Sequence, residues 1–262
     1  MTVGWITPDW PASLNVRALS TLRQGGVSAA PYASLNLGDH VGDQPASVAE
    51  NRRRLAAAAG LPAQPRWLAQ VHGSHVVDLN AAPWAQVPGP LGPADACFAR
   101  HPRRVCAILT ADCLPILLAA DSGDLVAAAH AGWRGLAGGV IENLVRALPV
   151  PSVRLMAWLG PAIGVKHFEV GAEVRETLLR SDAGAAEAFT PNARGRFMAD
   201  LRLLARRRLA ALGIDRIFGG DECTFAEPDR YFSHRRDGTT GRQATLIWLE
   251  AAKIEGRAAK DR

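Results

Sequence analysis

Apolar residues fall mostly into short runs along this chain, and only a few stretches repeat at helical spacing. Runs rich in Val, Ile, Leu and Ala, bounded by turn residues, predict strands over Val16–Leu22, Arg66–Val71, His75–Leu79, Arg104–Thr110, Pro115–Ala120, Leu125–Ala129, Val153–Leu159, Arg216–Gly219 and Ala244–Leu249. Recurrence every three or four residues predicts helices over Ser47–Ala59, closed by Gly60, then Leu136–Ala147, Val170–Arg180 and Leu201–Leu212, closed by Gly213. Strands outnumber helices, and two strand pairs are close enough to be hairpins. The pattern predicts an α/β (α+β) fold with a central mixed β-layer flanked by helices, not a purely parallel doubly wound sheet.

No Ser/Gly-rich linker and no repeat of 20–50 residues divides the sequence, so residues 1–250 are expected to form a single domain. The Ala81–Pro93 stretch, with four prolines, reads as a surface loop, and the polar segment 251–262 as a disordered tail. The first ten residues have neither a basic nor an apolar region of the export type. The longest apolar stretch, Val105–Ala120, is broken by Asp112 and Pro115 and is shorter than the roughly 18 residues that span a membrane. Four cysteines without CxxC spacing do not make a disulfide framework. A cytoplasmic protein with reduced thiols and no membrane partner is the expectation.

Composition narrows the picture further. The 262 residues are 48% hydrophobic and 21% charged, which excludes collagen-like and disordered classes. The formal charge of +5 would suit a nucleic-acid partner if it were gathered on one face. Only Lys166, Lys253 and Lys260 are lysines, however, and the chain is rich in alanine, so biased codon composition accounts for the arginine excess. Of the clusters Arg52-Arg53-Arg54 and Arg206-Arg207-Arg208, the second is expected to be a solvated helix face. No nucleic-acid partner is expected.

Three residues close predicted apolar strands: His72 in Gln70-Val71-His72-Gly73, Cys113 in Thr110-Ala111-Asp112-Cys113, and His130 in His130-Ala131-Gly132-Trp133-Arg134-Gly135. Two imidazoles and a thiolate are a sensible donor set for zinc, and three protein ligands with one open position is the usual catalytic arrangement. The separations match no compact finger, which argues against a structural site. Two other readings stay open: Cys113 as a nucleophile with His130 as its base, and all three as satisfied core or turn residues. Gly132 and Gly135 bracket Arg134 ahead of a helical stretch, which suits an anion, and Arg52 on the first turns of an earlier helix is a second anion candidate.

Taken in order, Gly25-Gly26-Val27-Ser28, Pro31-Tyr32-Ala33-Ser34-Leu35-Asn36-Leu37-Gly38, His40-Val41-Gly42-Asp43, Glu50-Asn51-Arg52, the three motifs above, Gly160-Pro161-Ala162-Ile163 and Ser233-His234-Arg235-Arg236-Asp237 resemble the laccase-domain family of bacterial purine nucleoside phosphorylases, which has also carried the description polyphenol oxidase. The resemblance covers about Val16 to Leu249. It implies an α/β fold of cysteine-hydrolase-like architecture, and an enzyme with one catalytic Zn²⁺ held by His72, Cys113 and His130. It also implies phosphorolysis of adenosine, inosine, guanosine and methylthioadenosine, and hydrolytic deamination of adenosine. A purine nucleoside and phosphate are then the expected partners. Arg134, Arg52, Arg235 and Arg236 are expected to hold phosphate, Asn36 to contact substrate, and Asp112 to move a proton or to anchor a zinc-bound imidazole. His234 is a weaker candidate for a ligand contact.

Counting ligands tests the oxidase description. A multicopper centre adds about eight histidines, usually as His-x-His pairs, to a blue-copper site, whereas this chain has seven histidines and no such pair. A single copper ion replacing zinc adventitiously is the most that the sequence allows.

Overall fold

Strand alternation sorts the apolar side chains into three cores, and these define the layers of the fold. In the computed structural model, which describes residues 2–81 and 89–251, β6 (Leu114–Ala120) sends Leu114, Ile116 and Leu118 to one side and Leu117 and Ala119 to the other. Its hairpin partner β7 (Val126–Ala131) divides Ala127 and Ala129 from Val126 and Ala128 in the same way. Such runs are apolar on both faces because each face is covered.

The larger sheet has the order β12-β8-β6-β7-β4-β3. Here β12 (Ile217–Gly219) runs parallel to β8 (Leu155–Leu159) and β3 (Val76–Asp78) parallel to β4 (Ala96–Ala99), while the remaining pairs are antiparallel. Stacked on it is an antiparallel sheet of β1 (Trp5–Ile6), β2 (Val16–Thr21), β13 (Gln243–Leu249) and β5 (Val105–Thr110). Cys106 and Ile108 of β5 and Ile247 of β13 meet Cys97, Leu117 and Trp158 between the sheets. Leu109 and Leu246 face the other way, onto Leu35 and Leu37 of the loop after β2 and onto Leu55 of helix α1 (Pro45–Ala58).

The outer face of the larger sheet is covered by α2 (Trp133–Ala137), α3 (Val140–Ala147), α4 (Ala172–Leu179) and α5 (Leu201–Ala211). A small sheet of β9 (Glu169–Val170), β10 (Phe189–Pro191) and β11 (Phe197–Ala199), the short helix α6 (His234–Asp237) and two 3-10 helices, Ser152–Arg154 and Ala183–Ala188, complete the described elements. The mixed β-layer flanked by helices is therefore present, built as two stacked sheets. Among the described residues no helix is long and apolar enough to cross a membrane.

Several expectations need correction. Arg66–Val71 is not a strand: its backbone bonds to the segment around Leu91, with Ala69 N to Leu91 O at 2.7 Å and Leu91 N to Trp67 O at 2.8 Å, and only a Leu68–Leu91 bridge forms. The next strand, β3, pairs with β4, whose four-residue Ala96-Cys97-Phe98-Ala99 run is too short to read as a strand. The helix expected over Leu136–Ala147 starts earlier and is split, because Gly139 adopts φ 78° between α2 and α3. Val170 belongs to β9, and α4 starts only after Gly171. The Arg206-Arg207-Arg208 cluster is a clamp between elements, not a solvated face. Arg208 is buried against Glu142 at 2.6 Å, Arg207 pairs with Asp182 at 2.9 Å, and Arg206 bonds Gly219 O at 2.6 Å. Residues 82–88 of the proline-rich loop and 252–262 of the tail lie outside the described residues.

Candidate active site

The chain crosses from the smaller sheet to the larger one through the turn Ala111-Asp112-Cys113, between the end of β5 and the start of β6. Cys113 is thereby placed beside His130, which sits in β7 one place before its end and shares the inter-sheet face with Val126 and Ala128 by strand alternation. His72 comes from the loop ahead of β3 and takes a left-handed backbone conformation, φ 59°. The nearest donor atoms of His72, Cys113 and His130 lie within 4.8 Å of one another, and the two imidazole centroids are 4.7 Å apart. These three residues form a group that could hold a metal ion.

A buried carboxylate organises the trio. Asp95, at 0% exposure, lies at the foot of β4, and its Oδ1 is 2.8 Å from His130 Nδ1. The same carboxylate accepts from the backbone N–H groups of Val71, His72 and Gly73 at 3.1, 2.9 and 2.7 Å. Burial would raise the Asp95 carboxyl, but the hydrogen bonds from His130, Gly73 and Val71 and the imidazole charge outweigh it and hold it below the ordinary range. An ionised Asp95 keeps a proton on Nδ1 of His130, so that Nε2 is the nitrogen left to hold a metal, the usual support of a metal-bound imidazole.

Burial also opposes the Cys113 thiolate, yet the charge and hydrogen bonds of His130 and His72 pull the thiol well below its ordinary value. His130 is driven upward against its own burial by the facing Cys113 and by Asp95. A deprotonated thiol is what a metal needs of Cys113, and the His130 imidazole would give up its second proton on binding. Space is provided by Gly132, where a Cβ would stand 2.8 Å from Cys113 Sγ and 3.5 Å from His72 Cδ2. Gln70 secures the His72 loop from the other side. Its Nε2 donates to Leu109 O at 2.9 Å, and Leu109 N donates to its Oε1 at 2.8 Å, so the side-chain amide pairs with β5 as a strand would.

The trio opens on a cavity of about 430 Å³ whose wall also carries Arg134, Arg235, Arg242, His40, Trp133 and Phe168. Asp112 is the one carboxylate in that lining, and both its oxygens are engaged: Oδ1 accepts from Thr224 Oγ1 at 2.7 Å and Oδ2 from Arg235 N at 2.6 Å. It joins the Cys113 turn to α6 and bonds neither imidazole; that place is taken by Asp95. Arg134 is exposed with its guanidinium 4.4 Å above the Trp133 ring, and Arg235 lies over Phe168 and donates to Glu169 O at 2.8 Å. His234 lines the cavity, its Nδ1 2.7 Å from Gly238 O.

Three predicted site residues stand outside the lining. Arg52 donates through Nε and Nη2 to Leu37 O, lies 3.3 Å from Asp39 and stacks on Trp67. Arg236 is engaged by the carbonyls of Thr224, Phe225 and Tyr231 and by Asp237. Asn36 is fully buried, donating to Gly38 O and Asp43 and accepting from the N–H groups of Gly38 and Arg242. All three brace loops behind the cavity. Sequence reasoning missed Asp95, Arg242 and Thr110, whose buried Oγ1 has no partner among the described residues. The available signals were a lone Asp ahead of a short apolar run and an Arg wedged between Gly241 and the β13 strand pattern.

Known proteins are similar to this chain along nearly its whole length. The chain is 51% identical over 244 residues to the purine nucleoside phosphorylase YfiH of Escherichia coli (strain K12), covering 93% of this chain and 98% of the relative. It is 46% identical over 247 residues to a purine nucleoside phosphorylase of Haemophilus influenzae, covering 94% and 99%. Among solved structures, the Neisseria meningitidis protein NMB0706 superposes with a TM-score of 0.88 at 47% identity, covering 94% of this chain and 99% of that one. YlmD from Geobacillus stearothermophilus gives 0.87 at 31% identity, covering 95% and 97%. Matched from residue 17 to residue 250 by the family model described as multi-copper polyphenol oxidoreductase laccase, the chain belongs to that family.

Proposed function

We propose that this chain is a zinc-dependent purine nucleoside phosphorylase that acts on adenosine, inosine, guanosine and methylthioadenosine and also deaminates adenosine. The observation that carries the reading is a cationic cavity opening directly on the His72-Cys113-His130 group, of a size suited to a nucleoside with phosphate. The relatives named purine nucleoside phosphorylase support it. Two imidazoles and a thiolate favour zinc over a hard cation. Zinc held there would supply Lewis-acid polarisation of the substrate.

The chain's own residues supply the rest. In phosphorolysis a phosphate oxygen bonds to C1′ of the ribose, the C1′–N9 bond breaks, and its electron pair leaves on the purine, which takes up a proton. Arginines on the wall offset the phosphate charge, which water would otherwise screen. Trp133 and Phe168 offer apolar surface, and Thr110 Oγ1 offers a hydrogen bond that no protein group takes up among the described residues. Asp112 holds Arg235 and the Cys113 turn in register through its two hydrogen bonds.

The test incubates purified protein with adenosine and phosphate and separates adenine, hypoxanthine, inosine and ribose-1-phosphate by chromatography, with and without a chelator. Purine products that vanish on metal removal are expected. No purine product, or product that survives complete removal, would sink the reading.

The Cys113-His130-Asp95 alignment favours one other reading, a cysteine hydrolase with a thiolate nucleophile. Cys113→Ser separates the two: loss of turnover together with zinc marks a ligand, and loss of turnover with zinc retained marks a nucleophile. Copper replacing zinc would give at most an adventitious oxidase, since the cavity wall carries only His40, His72, His130 and His234 among the described residues.

A further inference from the structure

Of the arginines on the cavity wall, Arg134 and Arg235 are exposed and Arg242 is not. Arg242 has no carboxylate partner within ion-pair distance among the described residues. That sets it apart from Arg52, paired with Asp39, and Arg236, paired with Asp237. A partly desolvated guanidinium without a counter-ion is an unfavourable arrangement unless an anion completes it.

The geometry of Arg242 is fixed from several directions. Its stem crosses Gly38, where a Cβ would lie only 2.8 Å from Arg242 Cγ and 3.1 Å from Cβ. Its Nη1 donates to Thr240 O and Gly241 O, both at 3.0 Å, which engages one side of the fork. The Nε and Nη2 edge, the pair of parallel N–H donors that matches two oxygens of a carboxylate or phosphate, has no partner among the described residues.

Behind it, Asn36 Oδ1 accepts from both Arg242 N at 2.8 Å and Gly38 N at 3.0 Å, Leu37 N donates to Arg242 O at 3.0 Å, and Arg52 grips Leu37 O. The Asn36-Leu37-Gly38 motif and Arg52 are thus a frame for this one side chain. Burial works against the Arg242 charge and outweighs the favourable Cys113 thiolate and Asp112 carboxylate.

We infer that Arg242 is the anchor for inorganic phosphate in this cavity, gripping two phosphate oxygens through its free Nε/Nη2 edge beside the His72-Cys113-His130 group. The inference rests on the phosphorolysis reading above. It places the phosphate on the Arg242 wall and leaves Arg134 and Arg235, over their aromatic rings, on the nucleoside side.

Steady-state kinetics with inosine as the fixed nucleoside test this on the zinc-loaded, full-length enzyme. Losing a charge-assisted pair of hydrogen bonds is worth roughly tenfold or more, so Arg242→Gln is expected to raise the phosphate KM at least about tenfold while the inosine KM changes less than about threefold and zinc content stays the same. Arg134→Gln is expected to raise the phosphate KM far less. Gly38→Ala keeps the charge but displaces the stem, and should reproduce part of the Arg242→Gln effect. Added guanidinium ion should partly restore phosphate use in Arg242→Ala.

A phosphate KM within twofold of wild type in Arg242→Gln, or equal rises in both KM values, overturns the inference. If Arg242→Gln does not fold, the same criterion is applied to Gly38→Ala. Absence of any phosphate-dependent cleavage by the wild type defeats the functional reading instead. In that case calorimetric titration of inorganic phosphate into wild type and Gly38→Ala decides the site itself: binding weakened in the variant upholds it, and equal or absent binding overturns it.

Discussion

His130 and Asp95 face each other at 2.8 Å in a part of the molecule that water does not reach, with the His130 N–H also bonded to the Asp95 carbonyl at 2.7 Å. One residue therefore sets both the tautomer of one candidate metal ligand and, through three amides, the path of the loop that carries another. Asp95→Asn removes the charge and keeps the shape, and it is expected to weaken metal binding roughly 10–100-fold. Asp95→Ala also leaves buried N–H groups unpaired and should lower stability by about 2–4 kcal/mol. Competition with a chromophoric chelator and denaturant melts check the two numbers, and an unchanged affinity in both variants would refute the assignment.

Metal removal should destabilise the native protein. Free zinc at about a thousand times its dissociation constant contributes about 4 kcal/mol through linkage. Thermal melts with zinc and with a chelator should therefore differ by several degrees, and His72→Ala and Cys113→Ser should each abolish most of the difference. A melt that ignores zinc in the wild type would dispose of the site.

Gln70→Ala removes the amide that pairs with Leu109 at the end of β5. The expected result is a loss of about 1–3 kcal/mol from the unpaired backbone groups, together with weaker metal binding, because the His72 loop is held from one side only. Equal metal affinity in wild type and variant would show that Asp95 alone is sufficient to hold that loop.

The Asp182–Arg207 pair gives a pH dependence with a definite sign. Hydrogen bonds from Arg207 hold the Asp182 carboxyl below its ordinary value, with burial opposing and the Arg207 charge assisting. A depressed folded-state value means that the stabilisation is complete above the unfolded carboxyl value of about 3.9 and is lost as pH falls through the folded one. The pair is part-exposed, so its worth is at most about 1 kcal/mol. The stability difference between wild type and Asp182→Asn should be present at pH 7 and shrink below about pH 4. A difference that grows on acidification would contradict this assignment.

The sequence made His72, Cys113 and His130 legible because each follows or ends an apolar run that a sheet core must bury, and sheets present such ends together. The two-sheet construction was less legible, since runs apolar on both faces look alike whether a helix or a second sheet covers them. Asp95 escaped notice because its partners, three amides and an imidazole, come from segments 22 to 35 residues away. Asn36, Arg52 and Arg236 were singled out as polar motif residues expected at the substrate. Their hydrogen bonds go largely to backbone groups, a use that the residue type alone does not reveal. The helix broken at Gly139 reads as continuous in sequence because the apolar spacing runs on across the break.

The turn Ala111-Asp112-Cys113 passes directly from one stacked sheet to the other, with Gln70 pinned to the strand before it and His130 in the hairpin after it. A metal ion bound by Cys113, His130 and His72 would therefore act as a rivet through the seam between the sheets. Loosening the seam far from the ion, for instance by truncating Ile108 or Trp158, would be felt as weaker metal retention, so the inter-sheet core and the chemistry at its edge would be selected together.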